Sequence, residues 1–306
     1  KNQWKDATVP GSVQRDLIRL GVLPDPYWGT NEKLVQWVED KNWDFRKSFT
    51  LTDEQLSCDE VLITFKGLDT YADVFLNGSK IIRAENMFLG YEVPVKNILK
   101  KGENQLYIRF FSPIEAMLPA YITSGFDYPA DNDHRLPRMS VYTRKAPYHY
   151  GWDWGMRMVQ IGIWRPVELT FFNQARITDY WVQQLEIEKN TAKLNNQLEV
   201  YSLSEKPVNA TLTIDYNPLI LSREPQQILQ EIILTKGENT ISIPLEIKNP
   251  TLWMPTGWGE QVLYGFRATI TADGKIIAEK HIKTGLRKIE LVRDTDDDGR
   301  TSYCKV

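Results

Sequence analysis

The chain has 306 residues, with 37 Lys+Arg against 40 Asp+Glu and a formal net charge of -3. That near-neutral balance argues against a nucleic-acid-binding protein, which would show a basic face, and no segment approaches the ~18 consecutive apolar residues of a membrane span. Cys58 and Cys304 are too few for a disulfide framework, and at roughly 100–150 residues per domain the length suits two domains or a little more.

The N-terminus, Lys1-Asn2-Gln3-Trp4, has neither an initiator Met nor a basic-then-apolar signal pattern, and we read the chain as a piece of a longer protein. Val13 to Leu20 is the only segment with convincing helical spacing, and Ser12 before it suits an N-cap. Elsewhere the hydrophobic period is two. Asp59–Lys66 reads as a buried strand, and Tyr71–Leu76 and Ser79–Ile82 flank Asn77-Gly78, a strong hairpin signal because a type I′ turn needs positive φ at both central residues. Gln105–Phe110 alternates, and Arg165–Phe171 closes the first unit.

From Gln174 onward, alternating runs recur at regular intervals: Arg176–Glu188, Gln197–Ser202, Ala210–Tyr216, Glu238–Leu245 and Phe266–Thr271. Asp273-Gly274 then turns the chain into Ile276–Ile282. Such spacing is the signature of an immunoglobulin-like sandwich. The fold class is therefore all-β, with two domains in tandem and boundaries at 1–173, 174–285 and 286–306. In the last segment Leu286–Val292 pairs with Thr301–Val306 as a hairpin. Its turn, Asp294-Thr295-Asp296-Asp297-Asp298-Gly299, matches the start of a calcium loop, but the loop's twelfth position falls on Lys305 where a bidentate Glu is needed. We read an acidic hairpin turn, no metal and no cofactor.

Chemistry concentrates in an aromatic stretch, within a chain holding 10 Trp, 14 Tyr and 11 Phe. Arg144–Arg157 contains Tyr148-His149-Tyr150-Gly151-Trp152-Asp153-Trp154-Gly155, preceded by a polar loop at Gly125–Arg135. An Asp between two indoles can accept hydrogen bonds from sugar hydroxyls while the rings form apolar walls. Equally, Trp152 and Trp154 can be core plugs with Asp153 capping a turn, and composition leaves both alternatives open. His134, His149 and His281 are too scattered for a metal cluster; His149 has both a structural and a site reading. No Gly-x-Ser-x-Gly elbow occurs, and spacing nominates no pair of catalytic carboxylates.

Several motifs, in order, resemble a family. Trp4…Ala7–Val13 and Asp25-Pro26-Tyr27-Trp28-Gly29-Thr30-Asn31-Glu32 look like the opening of a β-mannosidase of glycoside hydrolase family two. Lys66–Gly78 is similar to its central jelly-roll strands, and Asn86-Met87-Phe88 to the segment after them. Arg144–Gly155 with Gly162–Pro166 is the most specific match, and its Trp-Asp-Trp-Gly form favours β-mannosidases over β-galactosidase- or β-glucuronidase-type relatives. Leu252–Tyr264 and Gly285–Ile289 resemble the late immunoglobulin-like segment and its exit.

The resemblance implies a jelly-roll sugar-binding-like β-sandwich, an immunoglobulin-like β-sandwich, and a catalytic barrel absent from these residues. Both catalytic glutamates are expected in that missing barrel, so the chain is expected to be inactive alone. It also implies that Asp153 binds hydroxyls of a terminal β-linked mannoside or other glycan, with Trp152, Trp154, Asn86 and His149 as further substrate-binding candidates. Met156 stands where many relatives have Pro, a departure that would loosen the loop, and Asn31-Glu32 carries no assigned role. A free-standing carbohydrate-binding module is the alternative. A secreted or periplasmic setting follows from the resemblance only.

Overall fold

The computed structural model describes residues 3–220, 224–296 and 299–305. The chain divides into two compact units, Lys1–Phe171 and Phe172–Val306.

The first unit opens with α1 (Val13–Arg19), whose N-cap Ser12 accepts a hydrogen bond from the Arg15 amide. Short helices follow at α2 (Glu32–Val35) and α3 (Asp53–Leu56), on either side of β1 (Trp43–Leu51). Then come β2 (Glu60–Phe65), β3 (Ala72–Leu76), β4 (Ser79–Ala84), β5 (Tyr91–Pro94), β6 (Gly102–Phe110), α4 (Pro113–Ser124) and β7 (Val167–Phe172). They form two antiparallel sheets, β1-β6-β3-β4 and β5-β2-β7. Alternation explains why. Along β6, Leu106, Ile108 and Phe110 are buried while Glu103, Gln105 and Arg109 face out, and Val74 of β3 lies opposite Ile108. Asn77 and Gly78 take φ of 50° and 86°, as the hairpin signal requires.

The expectation of a single helix is corrected by α4. It starts from Ser112, whose hydroxyl accepts from the Glu115 amide, and ends at Gly125 with φ of 61°. Ile114, Met117 and Tyr121 keep helical spacing and pack on buried Met139, Tyr150 and Val159. Exposed Leu118 and Ile122, flanking that stripe, and Pro119 inside the helix blur it in the sequence.

The second unit holds β8 (Ala175–Ile187), β9 (Thr191–Ser202), β10 (Val208–Pro218), β11 (Gln226–Leu234), β12 (Gly237–Lys248), β13 (Tyr264–Ala272) and β14 (Lys275–Thr284). They build sheets β12-β9-β8 and β11-β10-β13-β14 around one core, in which Leu194, Leu198, Leu212, Ile214, Phe266 and Ile270 are fully or almost fully buried.

The terminal hairpin, β15 (Glu290–Asp296) with β16 (Gly299–Lys305), begins later than expected. Leu286 is buried in the second unit's core and its carbonyl accepts from the Trp253 amide, so residues up to it are not free to pair as a strand. Asp294 and Asp296 stand in β15 opposite Thr301 and Gly299, which corrects the six-residue acidic turn; Asp297 and Asp298 lie outside the described residues. Among the described residues, no group of three His, Cys, Asp or Glu is placed to hold a metal.

Candidate functional site

The aromatic stretch forms a loop built outward from a buried base. Pro147–Tyr150 makes one 3₁₀ turn, and Gly151 follows with φ of 114°. Trp152 and Gly155 then exchange amide-to-carbonyl hydrogen bonds of 3.2 Å each, leaving Asp153 and Trp154 at the tip of a tight turn. The side chains sort by this geometry. Tyr150 is fully buried and donates its hydroxyl to Thr143, whereas Tyr148, Trp152 and Trp154 are exposed, Trp154 by 88%. The core-plug alternative for the two tryptophans therefore falls, because Tyr150 fills that role.

Buried ion pairs bracket the loop on both sides. At its entry, the Lys145 side chain is wholly buried; its ammonium lies 2.5 Å from both carboxylate oxygens of Asp69 and 2.6 Å from the Gln160 carbonyl. Asp69 also accepts from the Thr70 hydroxyl, and its backbone is tied to Gly162 by a reciprocal pair of 2.9 Å bonds. At the loop's exit, Arg157 donates to both oxygens of buried Glu39, to Gln36 (2.9 Å) and to buried Asp133 (3.3 Å). Asp133 in turn accepts from the Met139 and Ser140 amides, and Arg135 donates to Glu39 and Asp40. Charges this deep persist only when paired and hydrogen-bonded, and these are.

His149 sits under the loop. Its Nδ1 is 3.8 Å from Asp69 and has no hydrogen-bond partner among the described residues. Burial, followed by the adjacent Lys145 ammonium, pushes the imidazole down to about 4, against the pull of Asp69. It is therefore neutral in the fold. The unfolded imidazole takes up a proton near pH 6.5 and the folded one does not until about 4, so this group removes stability as pH falls across that window. Relative to the parent, the His149→Gln variant is expected to gain stability steadily from pH 6.5 to 4. Thermal midpoints of both proteins at each pH check this, and a difference that stays constant would refute it.

Outside the loop's base lies a cleft of about 960 Å³. Trp152, Trp154, Tyr148 and Met156 form one side, and Tyr27 and Glu32 are among the residues lining it from the N-terminal segment. Asp153 is exposed between the two tryptophans at the turn's tip, does not itself line the cleft, and makes no hydrogen bond or ion pair among the described residues. Neither His149 nor Asn86 lines the cleft. Asn86 accepts from the Phe88 amide at 2.9 Å, and its neighbour Met87 bonds through its amide to the Arg144 carbonyl, beside the loop's entry. The arrangement offers aromatic walls for an apolar ring face and carboxylates that accept hydroxyl hydrogens.

Sequence reasoning missed Tyr27, Tyr148 and Met156 as lining residues, and quoted Glu32 without a role. It also missed Asp69, Lys145, Glu39 and Arg157, whose pairings join distant segments and leave no local pattern.

Residues 1–165 match the family described as glycosyl hydrolase 2 galactose-binding domain-like, and residues 175–287 match glycosyl hydrolases family 2. Beta-mannosidase B of Thermothelomyces thermophilus is 32% identical over 291 residues, 93% of this chain and 32% of its own length. Beta-mannosidase B of Aspergillus terreus is 32% identical over 98% of this chain and 34% of its own length. The crystal structure of a β-D-mannosidase from Dictyoglomus thermophilum superposes with a TM-score of 0.85 at 35% identity, covering 100% of this chain and 36% of that one. The exo-chitosanase of Amycolatopsis orientalis, at 18% identity and a TM-score of 0.71 over 97% of this chain and 32% of that one, shares the fold. This chain thus spans about a third of the length of the relatives it matches. With the first family match alone covering residues 1–165 of 306, the chain belongs to glycosyl hydrolase family 2.

Proposed function

We propose that this chain is the substrate-recognising N-terminal part of a retaining exo-β-mannosidase, and that its Trp152-Asp153-Trp154 turn holds the terminal mannose. One observation carries the reading: an exposed carboxylate with no partner among the described residues stands between two exposed indoles that line a cleft, on a chain similar throughout to β-mannosidases. A pyranose has apolar C–H faces and hydroxyl-bearing edges. Indole plates suit the first, and a carboxylate, which only accepts, suits the second. A retaining hydrolysis also needs two carboxyl groups about 5–5.5 Å apart across the glycosidic bond, one as nucleophile and one as acid/base. We assign those to a barrel outside residues 1–306, so that this chain contributes binding and orientation and no covalent step. His149 and Asn86 then act from below, His149 as a neutral support for the loop and Asn86 through the turn beside its entry.

The test is Asp153→Asn in the full-length enzyme acting on p-nitrophenyl β-D-mannoside. The amide keeps the shape but loses the charge-assisted acceptor, worth about 1.5–3 kcal/mol, so kcat/KM is expected to fall about ten- to hundredfold. Unchanged kinetics would remove Asp153 from the site.

A further inference from the structure

We infer that Glu32 is a second substrate-binding carboxylate, engaging the sugar unit next to the one held at Asp153, so that the cleft selects oligosaccharides over simple glycosides. The inference rests on the reading of the cleft as a mannoside site and extends it to a position with no role until now.

Three observations support it. First, the cleft of about 960 Å³ lies at the upper end of the ~300–1,000 Å³ of small-molecule pockets, more than one hexose fills. Second, Glu32 lines that cleft half-buried, together with Tyr27, Tyr148 and Trp154, and its carboxylate has no hydrogen bond or ion pair among the described residues. A partly desolvated carboxylate without a partner is an acceptor in want of donors, and sugar hydroxyls are neutral donors of the right kind. Third, Glu32 is held at a set position relative to the loop. The Gln36 side-chain amide donates to the Glu32 carbonyl at 2.9 Å and to the Arg157 carbonyl at 2.7 Å, while its oxygen accepts from the Arg157 guanidinium at 2.9 Å. One amide therefore ties the segment carrying Glu32 to the end of the recognition loop. These bonds use the Glu32 backbone only, which leaves its carboxylate available and makes its replacement benign for the fold.

The experiment compares kcat/KM for β-1,4-mannobiose with that for p-nitrophenyl β-D-mannoside in the full-length enzyme, for the parent, Glu32→Gln and Asp153→Asn, with thermal midpoints measured alongside. For Glu32→Gln, the mannobiose-to-aryl-mannoside ratio is expected to fall about tenfold with the midpoint unmoved. A ratio equal to the parent's overturns the inference, and so does a fall in midpoint that accounts for the loss. If Asp153→Asn changes neither substrate, the mannoside reading of the cleft itself fails. If Asp153→Asn lowers both while Glu32→Gln leaves the ratio alone, only the role of Glu32 fails. Tyr27→Ala, at an exposed residue of the same wall, provides a second variant and is expected to lower the ratio in the same direction.

Discussion

Replacing Lys145 by Met is expected to destabilise the first unit by about 3–5 kcal/mol, the range for removing one partner of a buried ion pair. Methionine is close to lysine in length and unbranched, so lost packing is not the main cost. The cost comes from Asp69, only 2% exposed, which would keep the Thr70 hydroxyl but lose its counter-ion. A buried carboxylate in that position must either protonate or draw in water, and both distort its surroundings. The Gln160 carbonyl would lose its ammonium donor at the same time. Urea unfolding of the parent and the variant measures the loss. The double change Lys145→Met with Asp69→Leu, which removes both charges, is expected to recover most of it, since an apolar pair can replace a buried ion pair at little cost. A single-variant loss below about 1 kcal/mol, or a double variant no better than the single, would show that the pair does not anchor the loop's entry.

The sheets were legible because their physics is local. Period-two alternation marks β3, β6, β8, β9 and β13, and Asn77-Gly78 and Asp273-Gly274 supply the positive φ that two-residue hairpins need. Even here β1 went unread although Trp43, Phe45 and Phe49 alternate through it, and β5 is too short to carry a period. The cleft was half legible. Trp152, Asp153 and Trp154 could be nominated together, but which aromatic ring faces inward could not, because the 3₁₀ turn and Gly151 interrupt any period that would sort Tyr148, Tyr150 and Trp152. The clamps were invisible for a different reason. Asp69 is 76 residues from Lys145 and Glu39 is 118 from Arg157, and a single chain shows charges without showing which of them will meet. The four residues look like ordinary surface charges until folding buries them.

Made in the full-length enzyme, Gly151→Ala separates the placement of the proposed recognition turn from its composition, and we expect it to lower kcat/KM on the aryl mannoside about a hundredfold while Trp152, Asp153 and Trp154 all remain. Gly151 has φ of 114° and ψ of 168°, a region essentially closed to residues with a Cβ, where strain costs about 1–3 kcal/mol. The added methyl would also stand 2.7 Å from the Asn132 carbonyl oxygen and 2.9 Å from His134 Nδ1. The first contact is with backbone in a segment anchored by Asp133 to Arg157 and to the Met139 and Ser140 amides, so it gives way less readily than a side-chain tip. Relief must then come from the backbone at Gly151 itself, whose rotation swings the Trp152–Gly155 turn. The sandwich core of the first unit does not include the loop, so its strands are expected to keep their hydrogen-exchange protection while amides at Trp152 and Gly155 lose theirs. A displacement of about 1 Å at a binding group is enough for losses of this order. If activity stays within threefold of the parent while the turn's amides exchange faster, recognition does not depend on where this turn is held, and the aromatic cleft is not the sugar site.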